Sequence, residues 1–196
     1  MKTSGPSLLD RLIPNPEAGG RHEITIHAPA ELVLDVARSF DIESLWLVRT
    51  LIRLRAWMLG GQPKFVNQPA GLIAQMTGLG WGRLVEEPGR FYIGGAHCQP
   101  WHAQVVFTPI AAEEFVAFDE PNQVKIAWTI EAEPLAPDVT RFATETRAVT
   151  TDAKSRARFR RYWRKFGIGI VMIRLALLPA VRRAAERQYK AAGRMT

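Results

Sequence analysis

Cysteine is nearly absent: the chain of 196 residues has one, Cys98, and so cannot form an internal disulfide. This excludes the disulfide-stapled class of small secreted domains and fits a reducing compartment. A long hydrophobic run is also missing. The longest one, residues 168–181, contains Arg174 and Pro179 and is shorter than the roughly 20 residues of a membrane-spanning helix. Because residues 1–20 hold no apolar run typical of a secretory leader, we expect a soluble cytoplasmic protein, or one peripheral at the inner membrane.

Acidic residues are scarce at the C-terminal end. Residues 151–196 contain 13 lysines and arginines but only two acids, Asp152 and Glu186, which gives this segment a net charge of +11. Since the whole chain carries +7, the first 150 residues carry −4. A mildly acidic body therefore precedes a strongly basic C-terminal segment.

Hydrophobic periodicity predicts an α+β fold. Alternation at period two, bounded by glycines and prolines, predicts strands over residues 23–28, 72–77, 81–86, 90–96, 102–107, 123–133 and 139–150. Apolar positions every three to four residues predict helices over residues 29–40, 42–58 and 109–118, and one of more than thirty residues that begins after Asp152. Residues 62–71 are predicted to be a loop.

The expected architecture is a curved antiparallel sheet of six to seven strands that grips the long C-terminal helix, with two short helices after the first strand. Residues 1–20 are expected to form an N-terminal arm and residues 21–196 a single domain. A bent sheet cannot close everywhere onto a straight helix, so this arrangement predicts a cavity between the two.

Several segments resemble the START-like, Bet v 1-like superfamily (SRPBCC, the helix-grip fold). The stretch ITIHAPAELVLDVA resembles its first strand and helix, and the later segments GWGRLVEEPGRFYIGGAHCQPW, FVAFDEPNQVKIAWTIEAEP and VTRFATETRAVTTDAKSRARFRRYW resemble a bacterial branch. The resemblance covers about residues 22–190. It implies a central cavity for an apolar or amphipathic molecule, in a family that includes lipid carriers, hormone receptors, polyketide cyclases and oxygenase subunits. Fold alone does not choose among these activities.

Large aromatic side chains are the main candidates for the cavity wall. The sequence has six tryptophans, a high number for its length, and each can either fill the core or stack on a ligand. Trp128 and Trp163 are the two most expected to reach the cavity. The complete set of predicted ligand-contacting residues is Trp46, Met58, Trp128, Ile130, Arg141, Glu145, Trp163 and Phe166.

Charged residues at alternate positions of the predicted strand 139–150 allow two interpretations. Arg141, Glu145 and Arg147 share one face of the predicted strand. If that face points to the helix, the group could bind a carboxylate or hydroxyl, and Glu145 is the one candidate catalytic base for a cyclase- or aromatase-type reaction. If it points away, Thr140 and Thr144 face inward instead.

Metal and nucleotide sites are not predicted. His97, Cys98 and His102 are too few and too poorly placed to supply a zinc site, and the iron-binding motif of the oxygenase relatives is not visible. The glycines at 78–82 lack dinucleotide-binding spacing. We expect no cofactor.

The basic helix has three interpretations. Its cations can form a solvated face, dock on an anionic membrane surface, or contact nucleic acid, which is the least expected. The predicted anion contacts are Arg160, Arg161 and Arg164. The leading hypothesis is a binding protein for a hydrophobic or amphipathic small molecule, lipid- or polyketide-like. The alternatives are a cyclase-type enzyme and a peripheral membrane or interaction protein.

Overall fold

A computed structural model describes residues 7–62 and 71–193. Parts of the predicted arm and of the predicted loop at 62–71 therefore lie outside the described residues. The elements follow in the order β1 (Ala18–Ile26), α1 (Ala30–Ser39), a short 3-10 turn (Ile42–Ser44), α2 (Trp46–Met58), α3 (Leu72–Gly78), β2 (Gly82–Glu87), β3 (Phe91–Cys98), β4 (Val124–Ala136), β5 (Val139–Thr150) and α4 (Ala153–Ala192).

The sheet is antiparallel and has five strands in the order β1-β5-β4-β3-β2. The α+β class and the long C-terminal helix are confirmed, whereas the predicted count of six to seven strands is wrong. Residues 72–77 are helical in α3, because a short apolar run does not distinguish a strand from one buried helical turn. Residues 102–107 add no strand, and one isolated bridge, His97 to Thr108, joins the chain to the sheet just after them.

The helix predicted over residues 109–118 is also absent, and this segment forms turns. Lys125 on β4 holds this segment from outside. Its buried ammonium group donates to the carbonyl oxygens of Phe115 at 2.9 Å and Val116 at 3.0 Å, and these bonds fasten the turns to the sheet. Phe115 is fully buried against the sheet.

The two faces of the sheet are covered differently. Even-numbered residues of β4 and β5, such as Ile130 and Phe142, pack against α1 and the C-terminal half of α4. Odd-numbered residues, such as Ala127, pack against the N-terminal segment and residues 110–118. We call the first the inner face and the second the outer face. Strand β1 begins at Ala18, earlier than predicted.

Helix α4 begins with a capping box, in which the Asp152 carboxylate accepts from the Ser155 backbone N–H at 2.8 Å. Its N-terminal half buries Phe159 and Tyr162 against the sheet, and its C-terminal half buries Leu177 and Val181. The predicted apolar stripe is thus confirmed at both ends of the helix. No helix in the described part of the chain is long and apolar enough to span a bilayer.

Candidate functional site

The charged group of β5 lies on the outer face, away from α4. Glu145 pairs with Thr129 of β4 and Arg21 of β1, and all three belong to the odd-numbered set. The expectation that Arg141 and Glu145 line the space under α4 is therefore wrong. The physical reason is the β-strand period of two, which places Phe142 and the threonines inward and every odd residue outward.

Glu145 serves the outer face as an anchor. Its carboxylate accepts from Arg147 Nε at 2.7 Å and from Ser7 Oγ at 2.5 Å, and it lies 3.5 Å from Arg21 Nη1. Arg147 continues the network to the Ile13 carbonyl at 2.9 Å. These contacts hold the N-terminal segment against the sheet. Arg141 pairs separately with Glu133 at 2.8 Å.

Of the other predicted ligand contacts, Trp128 and Ile130 lie on the inner face and are buried. The Trp128 ring centroid is 5.5 Å from that of Tyr92 and 6.4 Å from that of Trp81. Its indole covers Gly94, where a Cβ would meet the indole nitrogen at 2.6 Å. The Trp128 Nε1 group is buried and has no hydrogen-bond partner among the described residues.

The remaining four split between the two helices. Trp163 and Phe166 are partly buried on α4 beside the cluster that contains Phe159. Trp46 and Met58 point outward from α2, and the Trp46 side chain is 70% exposed. Their predicted place in the cavity wall is wrong, because the buried side of α2 is formed by Val48 and Ala56 instead.

The inner face beneath the middle of α4 is built from small and hydroxyl side chains. The cross-strand register places Gly20, Thr146, Trp128 and Gly94 in one row across β1, β5, β4 and β3. The adjacent row begins with His22 and Thr144. Gly20 and Thr146 are small, whereas the Trp128 indole covers Gly94. This polar floor lies on β1 and β5, and Ile126 of β4 packs against both apolar clusters under α4.

Arg174 on α4 points into this floor. It is 5% exposed, and its Nη1 donates to the Gly20 carbonyl at 3.0 Å. The Nη2 group is buried and has no hydrogen-bond partner among the described residues. Burial lowers the pKa of Arg174 to about 10, and the negative charge of Glu145 on the opposite face of the sheet partly offsets this effect. The protein thus holds a largely desolvated cation with one donor group unused.

His22 stands beside the same guanidinium. A Cβ on Gly20 would lie 3.6 Å from both Arg174 Nη1 and His22 Cε1. Burial, and then the positive charge of Arg174, lower the pKa of His22 below its ordinary value of 6.5. Its Nδ1 is also buried without a described partner. A positive guanidinium beside a neutral imidazole forms a pair of unused polar groups suited to an acidic group.

The predicted anion contacts line a groove of about 540 Å³ on the flank of α4. Its aromatic wall is Phe159 and Trp163, and its rim carries exposed arginines. The lining residues are Glu17, Ala157, Phe159, Arg160, Arg161, Trp163 and Arg164. The groove opens on the protein surface, and an enclosed chamber between sheet and helix stays a prediction.

The groove and Arg174 share one flank of α4. Residues 160, 163, 167 and 174 recur at helical spacing. At Gly167 a Cβ would lie 2.8 Å from Trp163 Cε2, so the indole of Trp163 covers that glycine. The Trp163 ring therefore stands between the groove and the buried arginine.

Sequence reasoning missed Arg174 and His22. Arg174 had a signal, because it is the one charged residue in the apolar run 168–181 and lies on the helix stripe. A charged residue within an apolar run of a helix is either exposed where the run reaches the surface or buried as a charge in the core. His22 precedes the predicted strand and gave no signal.

No three His, Cys, Asp or Glu side chains come together as a metal site within residues 7–62 and 71–193. Cys98 is buried, which raises the pKa of its thiol to about 12.

No protein-family model matches the sequence, and no curated protein matches it either. Two solved structures show a distant likeness. The Zhui aromatase/cyclase from Streptomyces sp. R1128 is 14% identical, with a TM-score of 0.33 over 90% of this chain and 98% of that one. The protein DR_A0006 from Deinococcus radiodurans is 16% identical, with a TM-score of 0.30 over 78% of this chain and 99% of that one. At these TM-scores, neither likeness says what this chain binds.

Proposed function

We propose that this protein binds an amphipathic small molecule with an acidic group, held between α4 and the inner face of the sheet. The observation that carries the proposal is the buried Arg174 guanidinium, whose Nη2 has no partner among the described residues. An anionic group at this position would accept a charge-assisted hydrogen bond from Nη2.

Burying the charge of Arg174 costs free energy. A desolvated ion that lacks full hydrogen bonding costs several kcal/mol in effective terms, roughly as much as a typical core substitution. Arg174 has only the neutral Gly20 carbonyl as its described partner. A ligand with a negative charge would offset the cost of burying Arg174, and so would explain why an arginine occupies this position. His22 and the hydroxyl of Thr146 offer the further polar contacts that a carboxylate or sulfonate would use.

The apolar part of the ligand would extend from this polar floor toward Trp128, along the row Gly20, Thr146, Trp128. Small side chains leave room there, and aromatic surface is provided by Trp128 and its neighbour Tyr92. The ligand would reach this space along the flank of α4, past Trp163.

A cyclase-type reaction is the less favoured alternative. Its predicted base, Glu145, lies on the outer face and is fully engaged with Arg147 and Ser7. Because this carboxylate faces away from the inner floor, binding is the function that the geometry supports best.

The test combines two measurements on the full chain. Native mass spectrometry of the purified protein would show whether a small molecule copurifies. Titration with anilinonaphthalene sulfonate, an amphipathic aromatic anion, then measures affinity. Arg174→Met should weaken the affinity about tenfold to a hundredfold, because a hydrogen bond to a charged group contributes about 1.5–3 kcal/mol. Arg141→Met, on the outer face, is the matched control and should bind as wild type.

Stability separates a binding residue from a structural one. If Arg174 serves a ligand, the free energy of unfolding of Arg174→Met should lie within about 1 kcal/mol of the wild-type value, or above it. The reason is that the substitution removes a buried charge that is not fully hydrogen-bonded. Wild-type affinity for the probe in this variant would overturn the proposal. A loss of affinity in Arg141→Met of the same size would overturn it as well.

A further inference from the structure

The outward sides of α2 and α4 expose large apolar residues that no described element covers. On α4, Ile168, Met172 and Leu175 are exposed and follow at intervals of four and three residues, with Ile168 73% exposed. On α2, Trp46, Leu54 and Trp57 follow at eight and three residues, and Trp57 is 77% exposed. Helical spacing puts each set on one side of its helix. We call the two sets together the docking face.

The two sets lie on helices that contact each other. Helices α2 and α4 contact each other through Arg55 Nε and Tyr162 Oη at 3.1 Å, and a Cβ on Gly169 would lie 3.8 Å from Leu51 Cδ2. On α2 the buried residues are Val48 and Ala56, and on α4 Tyr162 is buried in the cluster that contains Val124 and Ala148 of the sheet. The exposed sets lie elsewhere on each helix, so the contact between the helices makes them neighbours on the surface.

Cations flank the apolar stripe of α4 at both ends. Arg161, Arg164 and Lys165 are exposed one to two turns before Ile168. Arg182 and Arg183 are exposed two turns after Leu175, and Arg182 lies 3.6 Å from Glu186. At 1.5 Å per residue the cations span about 33 Å along the helix. Exposed apolar side chains with lysines and arginines beside them are typical of a helix that lies in a membrane interface.

We infer that the docking face binds the surface of an anionic lipid bilayer, with α2 and α4 lying parallel to it. Tryptophan side chains are favoured at the level of lipid headgroups, where an apolar ring and a polar N–H meet their respective surroundings. The arginine side chains can lay their methylene groups on the same apolar surface and hold their charges at the phosphates. The charge of the C-terminal segment complements an anionic leaflet and none of the docking-face residues is acidic.

The inference does not depend on the proposed ligand. Arg174 is buried on the other side of α4, and the exposed stripe makes no use of it. Membrane binding could therefore hold even if the interior site does not, and each is tested with its own variants.

Flotation of the full chain with phosphatidylcholine vesicles, with and without phosphatidylglycerol, tests the inference. We expect binding to the anionic vesicles that weakens as salt is added. Neutralising Lys165, Arg182 and Arg183 together to Gln should weaken it about a hundredfold, at about fivefold for each cation. The charge-matched control neutralises Arg11, Arg83 and Arg90, which are exposed elsewhere, and should bind as wild type.

The apolar contribution has its own pair of variants. Trp46→Ser with Trp57→Ser should weaken binding about tenfold or more, because both aromatic rings that would leave water on binding are removed. Val106→Ser with Val116→Ser changes two exposed apolar residues outside the docking face and should have no effect. Sedimentation velocity without lipid then tests the other occupant, a second copy of the chain.

Three results would overturn the inference. The first is no binding to anionic vesicles at low salt. The second is binding that the docking-face variants leave unchanged. The third is a dimer in the absence of lipid that Trp46→Ser with Trp57→Ser dissociates, since the face would then be an interface between copies.

Discussion

Replacing Glu145 by Gln tests whether the charged group of β5 is structural. The carboxylate is 5% exposed and accepts from Arg147 Nε and Ser7 Oγ, with Arg21 3.5 Å away. Glutamine keeps the size of the side chain and removes its charge. The change therefore isolates the electrostatic contribution of one buried group.

The size of the expected loss in stability depends on the partners that Arg147 and Arg21 retain in the variant. Breaking a buried ion pair costs about 3–5 kcal/mol when the remaining charge has no other partner. Here Arg147 retains Asp10 at 2.8 Å and the Ile13 carbonyl, and Arg21 retains Glu131 at 2.8 Å. Because both charges stay partly compensated and partly solvated, we expect a loss of about 2–3 kcal/mol in the free energy of unfolding.

Urea unfolding followed by tryptophan fluorescence measures this loss. With a slope of about 2 kcal/mol per M, the midpoint should fall by roughly 1 M. The control is Glu133→Gln, which removes an exposed pair with Arg141 and should cost less than about 1 kcal/mol. If Glu145→Gln unfolds like wild type but no longer binds anilinonaphthalene sulfonate, the assignment of Glu145 to the outer face as an anchor is refuted.

Two further predictions concern titratable groups, the buried Cys98 and the partly buried His22. The Cys98 thiol should react with a disulfide reagent only after unfolding, because it is buried and its pKa is raised to about 12; rapid reaction of the native protein would contradict this. Because the pKa of His22 is lowered in the folded state, the unfolded chain takes up a proton first as pH falls below about 6.5, and stability should drop through that range until the folded histidine also protonates. His22→Gln should lose this part of the pH dependence in urea midpoints, and an unchanged slope would contradict the assignment.

Strong periodicity made the large elements predictable. Residues 123–133 and 139–150 alternate at period two and form β4 and β5, and the 3.6-residue stripe after Asp152 forms α4. Each of these signals extends over many residues, so that tertiary context did not change the outcome. The short segments were less predictable. Residues 72–77 offer only six residues of pattern, and the helix and strand interpretations fit them equally.

The error at residues 109–118 has a different cause. The apolar residues there have helical spacing, but Lys125 of β4, which lies outside the segment, binds the carbonyl oxygens of Phe115 and Val116 and holds the segment as turns. Contacts between separate segments are invisible to a periodicity argument. The inward face of β5 is a similar case, since alternation gives two faces but not which one meets the helix. The N-terminal Leu9 and Ile13, buried on the outer face, decide it.

Helix α4 can take part in both the ligand site and the docking face, because the 3.6-residue helical period places their residues on different sides of the helix. On α4, Arg174 points to the sheet while Met172 and Leu175, its near neighbours in sequence, point outward. A change on one side should therefore leave the other side intact. Arg174→Met should bind anionic vesicles as wild type, and the variant with Trp46→Ser and Trp57→Ser should bind anilinonaphthalene sulfonate as wild type. If either variant impairs both activities while remaining folded, the two sites are coupled, and an acidic amphipath exchanged directly with the bilayer past Trp163 would account for that coupling.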